Sequence, residues 1–163
     1  MMDSDLSSVP IEVLTFRGHR NVLGTHPNTI ELTREEEIST RADCIIGVSC
    51  DKACAQLNPL MKRHIQGCGG LRFELRVGQT SFDFQGSGTK GLTLDDPLEF
   101  VVRKSYFESP RTAAIRCNAA AIDIPRHLIQ MMRDPTQEGT LTMIPVQPES
   151  HESETTPLWE ILS

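Results

Sequence analysis

The chain has 163 residues, 38% of them hydrophobic and 23% charged, with a formal net charge of −6. These values fit one globular domain able to build a core without staples. No apolar run approaches the roughly 20 residues of a membrane helix, and no basic excess marks a dedicated nucleic-acid binder.

The charge is uneven. Residues 1–10 hold Asp3 and Asp5, residues 147–163 hold Glu149, Glu152, Glu154 and Glu160, and neither end has Lys or Arg. The tails therefore carry the whole net charge, and an anionic partner for the body is neither favoured nor opposed by it. The polar, acidic start "MMDSDLSSVP" is unlike a secretory or mitochondrial leader. The five cysteines match no zinc or redox spacing. They read as reduced, mostly buried thiols, which points to a cytoplasmic protein.

"IEVLTF" (11–16) reads as a strand rich in β-branched and aromatic residues. A polar stretch follows, then the alternating strand "TIELT" (29–33) and the charged connection "REEEIST". "CIIGVSC" (44–50) is a short apolar run that suits a strand buried on both faces. In "DKACAQLNPLMKRHIQG", Pro59 inside a continuous helix would cost about 3 kcal/mol. A helix capped by Asn58, begun by Pro59 and stopped by Gly67 is cheaper, with "DKACAQL" as a separate turn. "LRFELRV" (71–77) alternates strictly and reads as the strand that follows.

The second half has the same order: strands at 80–84, 98–104 and 112–117, a helical segment "NAAAIDIPRHLIQMMRDP", and a strand at 140–146. A shift of 68 lays Phe16-x-Gly18 on Phe84-x-Gly86, and a shift of 67 lays Cys50-Asp51 on Cys117-Asn118. The expectation is an α+β domain over 11–146. It has two β-β-β-α-β repeats (about 11–78 and 79–146) related by a pseudo-twofold, in a mostly antiparallel sheet or barrel with two main helices.

The polar loop 18–29 and its counterpart, the Gly-rich loop 86–91, would then lie at symmetry-related places. His19, Asn21, Thr25, His26, Thr29 and Asp43 offer oriented polar groups, and Ser87, Thr89 and Lys90 offer a Gly-rich turn with a point charge. Arg103, Lys104 and Arg111 could add charge. Three readings compete. The loops bind a phosphate-bearing small molecule or RNA backbone. His19, His26 and Asp43 hold a metal and activate water in a hydrolase-like enzyme. Or the polar side chains satisfy turn backbone groups and have no ligand. "GSGTKG" is not a Walker loop, because it leads into a strand. No catalytic triad and no cofactor motif is visible.

"GHRNVLGTHPNTIELT" followed by "ADCIIGV" resembles a mainly archaeal family, domain of unknown function 371. The resemblance lies in Gly18, His19, Asn21, Val22, Thr25, His26, Thr29, Glu31 and Thr33, and in Asp43, Cys44, Ile45, Ile46, Gly47 and Val48. It continues at Arg103, Lys104, Ser105, Arg111 and Thr112 and spans roughly residues 11–146. Asn28 and Ala42 depart from the family pattern. The resemblance implies that the polar loop is a family feature; it brings no activity with it.

After an acidic linker the chain ends in Leu158, Trp159, Ile161 and Leu162, with its only Trp. This cluster reads as a docking peptide for a protein partner, or as a tail that packs on its own domain. The function classes carried forward are a ligand-binding module, a metal-assisted enzyme and an adaptor.

Overall fold

The computed structural model describes residues 6–147. The docking peptide at Leu158, Trp159, Ile161 and Leu162 lies outside the described residues. Ten main elements follow a 3₁₀ turn at Leu6–Ser8: β1 (Glu12–Arg17), β2 (Thr29–Thr33), β3 (Ile45–Gly47), α1 (Pro59–Gln66), β4 (Gly70–Val77), β5 (Thr80–Ser87), β6 (Glu99–Arg103), β7 (Thr112–Ala114), α2 (Arg126–Met132) and β8 (Glu138–Val146). Further 3₁₀ turns at Cys54–Gln56 and Ala121–Asp123 precede the two helices.

The α+β class holds. The strands form two four-stranded sheets, ordered β1-β8-β4-β5 and β3-β2-β6-β7. The first is antiparallel throughout; in the second the central β2–β6 pair is antiparallel and the outer pairs are parallel. The barrel alternative does not hold. At each seam the sheets meet through a single bridge, Arg17 with Val48 and Ser87 with Ile115, so closure is incomplete. Among the described residues no helix is long and apolar enough to cross a membrane.

One apolar core lies between the sheets and the helices. It joins Leu14 and Phe16 of β1, Phe73 of β4, Ile30 and Leu32 of β2, Phe100 and Val102 of β6, Met61 and Ile65 of α1, and Leu128 and Met132 of α2. The helix start was legible in its chemistry: Asn58 Oδ1 accepts from the Leu60 N–H at 2.8 Å, Pro59 occupies the first position and Gly67 ends the helix. The separate turn before it is the 3₁₀ segment Cys54–Gln56. Strands β3 and β7 are shorter than expected, because Ser49 (φ 51°) and Arg116 (φ 54°) take left-handed backbone soon after each strand.

The backbone bonding of the first half recurs in the second. Val22 N–H donates to His19 C=O and Leu92 N–H to Thr89 C=O. Asp51 N–H donates to Thr15 C=O and Asn118 N–H to Gln85 C=O. These pairs set His19 on Thr89 and Thr15 on Gln85, an offset of 70 residues rather than the 68 of the sequence overlay. The match of Phe16-x-Gly18 to Phe84-x-Gly86 departs from this bonding for a packing reason, whereas that of Asp51 to Asn118 agrees with it. In the first half the Phe16 ring covers Gly47, whereas in the second Gly86 lies against Ala114 and Cys117. The bulk changes sides, so matching Phe16 to Phe84 shifts the strands by two.

The glycines of the two loops are packing devices. A Cβ on Gly18 would lie 2.4 Å from the Met132 carbonyl oxygen, and one on Gly88 would lie 2.0 Å from that of Ile65. Each loop thereby docks on the C-terminal turn of a helix, the first on α2 and the second on α1. Overfilling such a contact costs typically 1–3 kcal/mol. Gly88→Ala is expected to lower unfolding free energy by about that amount, and urea denaturation against wild type measures it.

Candidate functional site

The sequence-predicted residues separate into three places. His19 is structural: its Nδ1 accepts from Asn21 N–H at 3.0 Å and its Nε2 donates to Glu37 Oε1 at 2.9 Å. Asn21 donates to Ile38 C=O at 2.9 Å, so both residues fix the entry to the charged connection. Ser87, Thr89 and Lys90 lie at the other end of the domain. There the N–H groups of Ser87 and Gly88 already donate to Ile115 and Gly69 carbonyls, and Thr89 C=O accepts from Leu92 N–H, while Lys90 is exposed. Thr25 is exposed, Asp43 receives the N–H groups of Thr25 and His26 on its carbonyl, and Lys104 pairs with Asp123 at 3.0 Å. Among the described residues no group of three or more His, Cys, Asp or Glu could hold a metal ion. His19, His26 and Asp43 therefore do not form the expected metal set.

The third place does gather functional groups. A cavity of about 360 Å³ opens on the outer face of the β2–β6 pair. It is lined by His26, Asn28, Thr29, Glu31, Cys44, Val101, Arg103, Ser105 and Arg111. The β2–β6 register explains the convergence: Thr29 stands opposite Arg103, Glu31 opposite Val101 and Thr33 opposite Glu99. Alternation sends Ile30, Leu32, Phe100 and Val102 into the core and leaves the polar set on the other side. That side is nevertheless covered, with Glu31 only 3% exposed.

Glu31 sits at the centre of a network. Arg111 Nη1 lies 3.4 Å from Glu31 Oε2 and 3.1 Å from Glu99 Oε1. Thr33 Oγ1 donates to Glu99 Oε2 at 2.6 Å, and the Cys44 thiol donates to Glu31 Oε1 at 3.2 Å. Burial first, then the hydrogen bond and charge of Glu99, push the Glu31 carboxyl up to about 8. Glu99, despite its own burial, is held below the usual carboxylate range by its bonds with Glu31 and Thr33 and by Arg111. The pair thus shares one proton, kept on Glu31, and Arg111 faces one net negative charge. The Cys44 thiol is pushed up to about 12 by burial and by Glu31, which leaves it protonated and a poor nucleophile at neutral pH.

Two further groups complete the wall. His26 Nδ1 accepts from the N–H groups of Asn28 and Thr29 at 3.0 and 3.2 Å, which leaves Nε2 to carry the ring proton. Arg103 donates from Nε to Thr112 Oγ1 at 2.8 Å and makes no ion pair among the described residues. Burial, and after it the neighbouring charge of Arg111, push the Arg103 guanidinium below its usual value. Of the residues singled out in the sequence, His26, Thr29, Arg103 and Arg111 line this cavity; Glu31, Cys44 and Ser105 also line it, with Glu99 beside Glu31, and were not singled out as binding residues. Their signal was the run of polar groups at alternate positions, Thr29, Glu31 and Thr33, facing Glu99 and Arg103.

Fold and site together define a small α+β protein with a polar pocket on its central strand pair. The chain belongs to the family described as domain of unknown function (DUF371), whose model matches residues 14–146. It is similar to the uncharacterized protein MJ0206 of Methanocaldococcus jannaschii, at 31% identity over 122 residues, which cover 75% of this chain and 90% of that protein. His26, Thr29, Glu31, Cys44, Arg103, Ser105 and Arg111, which carry the family resemblance in sequence, meet at this one cavity.

The Glu31 proton makes stability depend on pH in a defined direction. Burial and Glu99 push the carboxyl up to about 8 in the native state, from the 4.5 usual for a glutamate in the unfolded chain. Between these values the native state binds more protons, so this group's contribution to stability falls as pH rises through that window. Glu31→Gln removes the titration. Its melting temperature is expected to fall less than that of wild type between pH 5.5 and 8.5, measured by calorimetry in matched buffers.

Proposed function

We propose that this protein binds a small molecule bearing a phosphate or similar anionic oxygen group in the β2–β6 pocket. The observation that carries the reading is the convergence of two arginines on one cavity. Arg103 and Arg111 repel one another, yet both line it, and Arg103 has no carboxylate partner among the described residues. Like charges gathered around a space are favourable when an anion fills it. The Nε2 proton of His26 and the hydroxyl of Ser105 add donors, and the protonated Glu31 adds no negative charge.

The ligand class is the one the polar sequence suggested, but it is drawn from a different set of residues. His26, Thr29, Arg103 and Arg111 remain in the reading. The Gly-rich loop 86–91 leaves it, since its N–H groups at Ser87 and Gly88 are already bonded. A pocket of this size suits a small molecule better than an RNA groove.

Ribose 5-phosphate, titrated into the full chain by calorimetry, is expected to bind saturably. A charge-assisted hydrogen bond contributes about 1.5–3 kcal/mol, so Arg103→Ala is expected to weaken binding by roughly 10- to 100-fold. Lys104→Ala, outside the cavity, is expected to change it little. Ionising Glu31 places a negative charge beside the anion, so affinity is expected to fall as pH rises through about 8, and Glu31→Gln is expected to flatten that fall. No binding, or equal binding by Arg103→Ala, would contradict the reading.

A further inference from the structure

We propose that the anion pocket is the phosphate subsite of a nucleotide site, with the base stacked on the ring of Phe107 at its rim. This rests on the anion-binding reading above and adds the class of ligand.

The connection between β6 and β7 carries two adjacent exposed aromatics, Tyr106 at 71% and Phe107 at 60% exposure. They are the most exposed large apolar residues next to the cavity, and the same connection supplies Ser105 and Arg111 to its wall. Two contacts fix the ring there. The Phe107 N–H donates to Ser105 Oγ at 3.3 Å, and the Arg103 guanidinium lies 4.9 Å from the ring centroid. Arg103 therefore touches the aromatic platform and lines the cavity at once. The Tyr106 ring is held from the other side by Arg116, 5.9 Å from its centroid.

Arg103 covers part of the Phe107 ring, and its 60% exposure leaves the rest of the ring open to a ligand. The cavity beside it is polar and cationic, so an apolar ligand would satisfy the ring and leave Arg103 without an anionic partner. A sugar phosphate would satisfy the arginines and leave the ring bare. A nucleoside phosphate supplies both parts on one molecule, an anionic group for Arg103 and Arg111 and a π-face for Phe107. Base stacking on an aromatic side chain tolerates any base, so the geometry assigns the ligand class and not the base.

The test compares AMP with ribose 5-phosphate by calorimetry on the full chain and on two variants. Stacking is worth about 5- to 150-fold in affinity, so AMP is expected to bind wild type at least about 5-fold more tightly. Phe107→Ala is expected to erase that gain, so that AMP and ribose 5-phosphate bind this variant equally, while saturable ribose 5-phosphate binding shows that the variant keeps its structure. Phe107→Tyr, which keeps a ring, is expected to retain the gain. Equal binding of AMP and ribose 5-phosphate by wild type, or a gain that survives Phe107→Ala, overturns the nucleotide inference and leaves the anion pocket standing. Failure of both ligands to bind wild type overturns the anion pocket as well.

Discussion

The antiparallel pairing of β2 with β6 is the constraint on which the rest of the structure depends. Its register sets Glu31 against Val101, with Thr29 opposite Arg103 on one side and Thr33 opposite Glu99 on the other. One face of the pair supplies Ile30, Leu32, Phe100 and Val102 to the core. The other face becomes the floor of the pocket. A one-residue slip would exchange these faces and bury the charges in the apolar core, so the energetics of the core and the chemistry of the site enforce the same register.

Some local bonding around β2 recurs around β6, with different side chains attached. His26 Nδ1 accepts from the N–H groups of Asn28 and Thr29, and Asp96 Oδ1 accepts from those of Leu98 and Glu99. Each is the same local cap at the start of a central strand. Glu31 N–H donates to Cys44 C=O, as Val101 N–H does to Arg111 C=O. Where the first half has a carboxyl and a thiol, the second has a valine and a guanidinium. Arg111 thereby meets Glu31 and Glu99 beside the β2–β6 pair. Burying Glu31 is costly for a lone carboxylate; keeping its proton, with Glu99 ionised and Arg111 bridging both, lowers that cost.

Much of the fold was legible because local chemistry and tertiary packing agree. The Asn58–Pro59 start and Gly67 stop of α1 need only a cap and a ring-fixed φ, and no distant contact overrides them. Strand lengths were less legible, since the left-handed residues Ser49 and Arg116 are ordinary in composition. The overlay of the halves slipped by two because the bulk that Phe16 provides in one half has no counterpart at Gly86 in the other. At the site, alternation in "TIELT" reads as a strand with a wet polar face, and that is why Glu31 escaped notice. Its burial comes from Cys44 and Arg111, donated by segments distant in sequence. Conversely, the polar groups of His19 and the N–H groups of Ser87 and Gly88 bond within the fold, through contacts that local composition does not reveal.

The central claim is that the anion site lies on the β2–β6 face, with only the His26–Thr29 end of the polar loop, and not at His19 or in the Gly-rich loop 86–91. Backbone amide chemical-shift mapping on titration with ribose 5-phosphate tests this most directly. The account predicts perturbations concentrated at Asn28, Thr29, Ser105 and Arg111, with residues 86–91 and His19 unmoved. Perturbations centred on residues 86–91 or on His19 and Asn21, with the pocket residues unmoved, would contradict it.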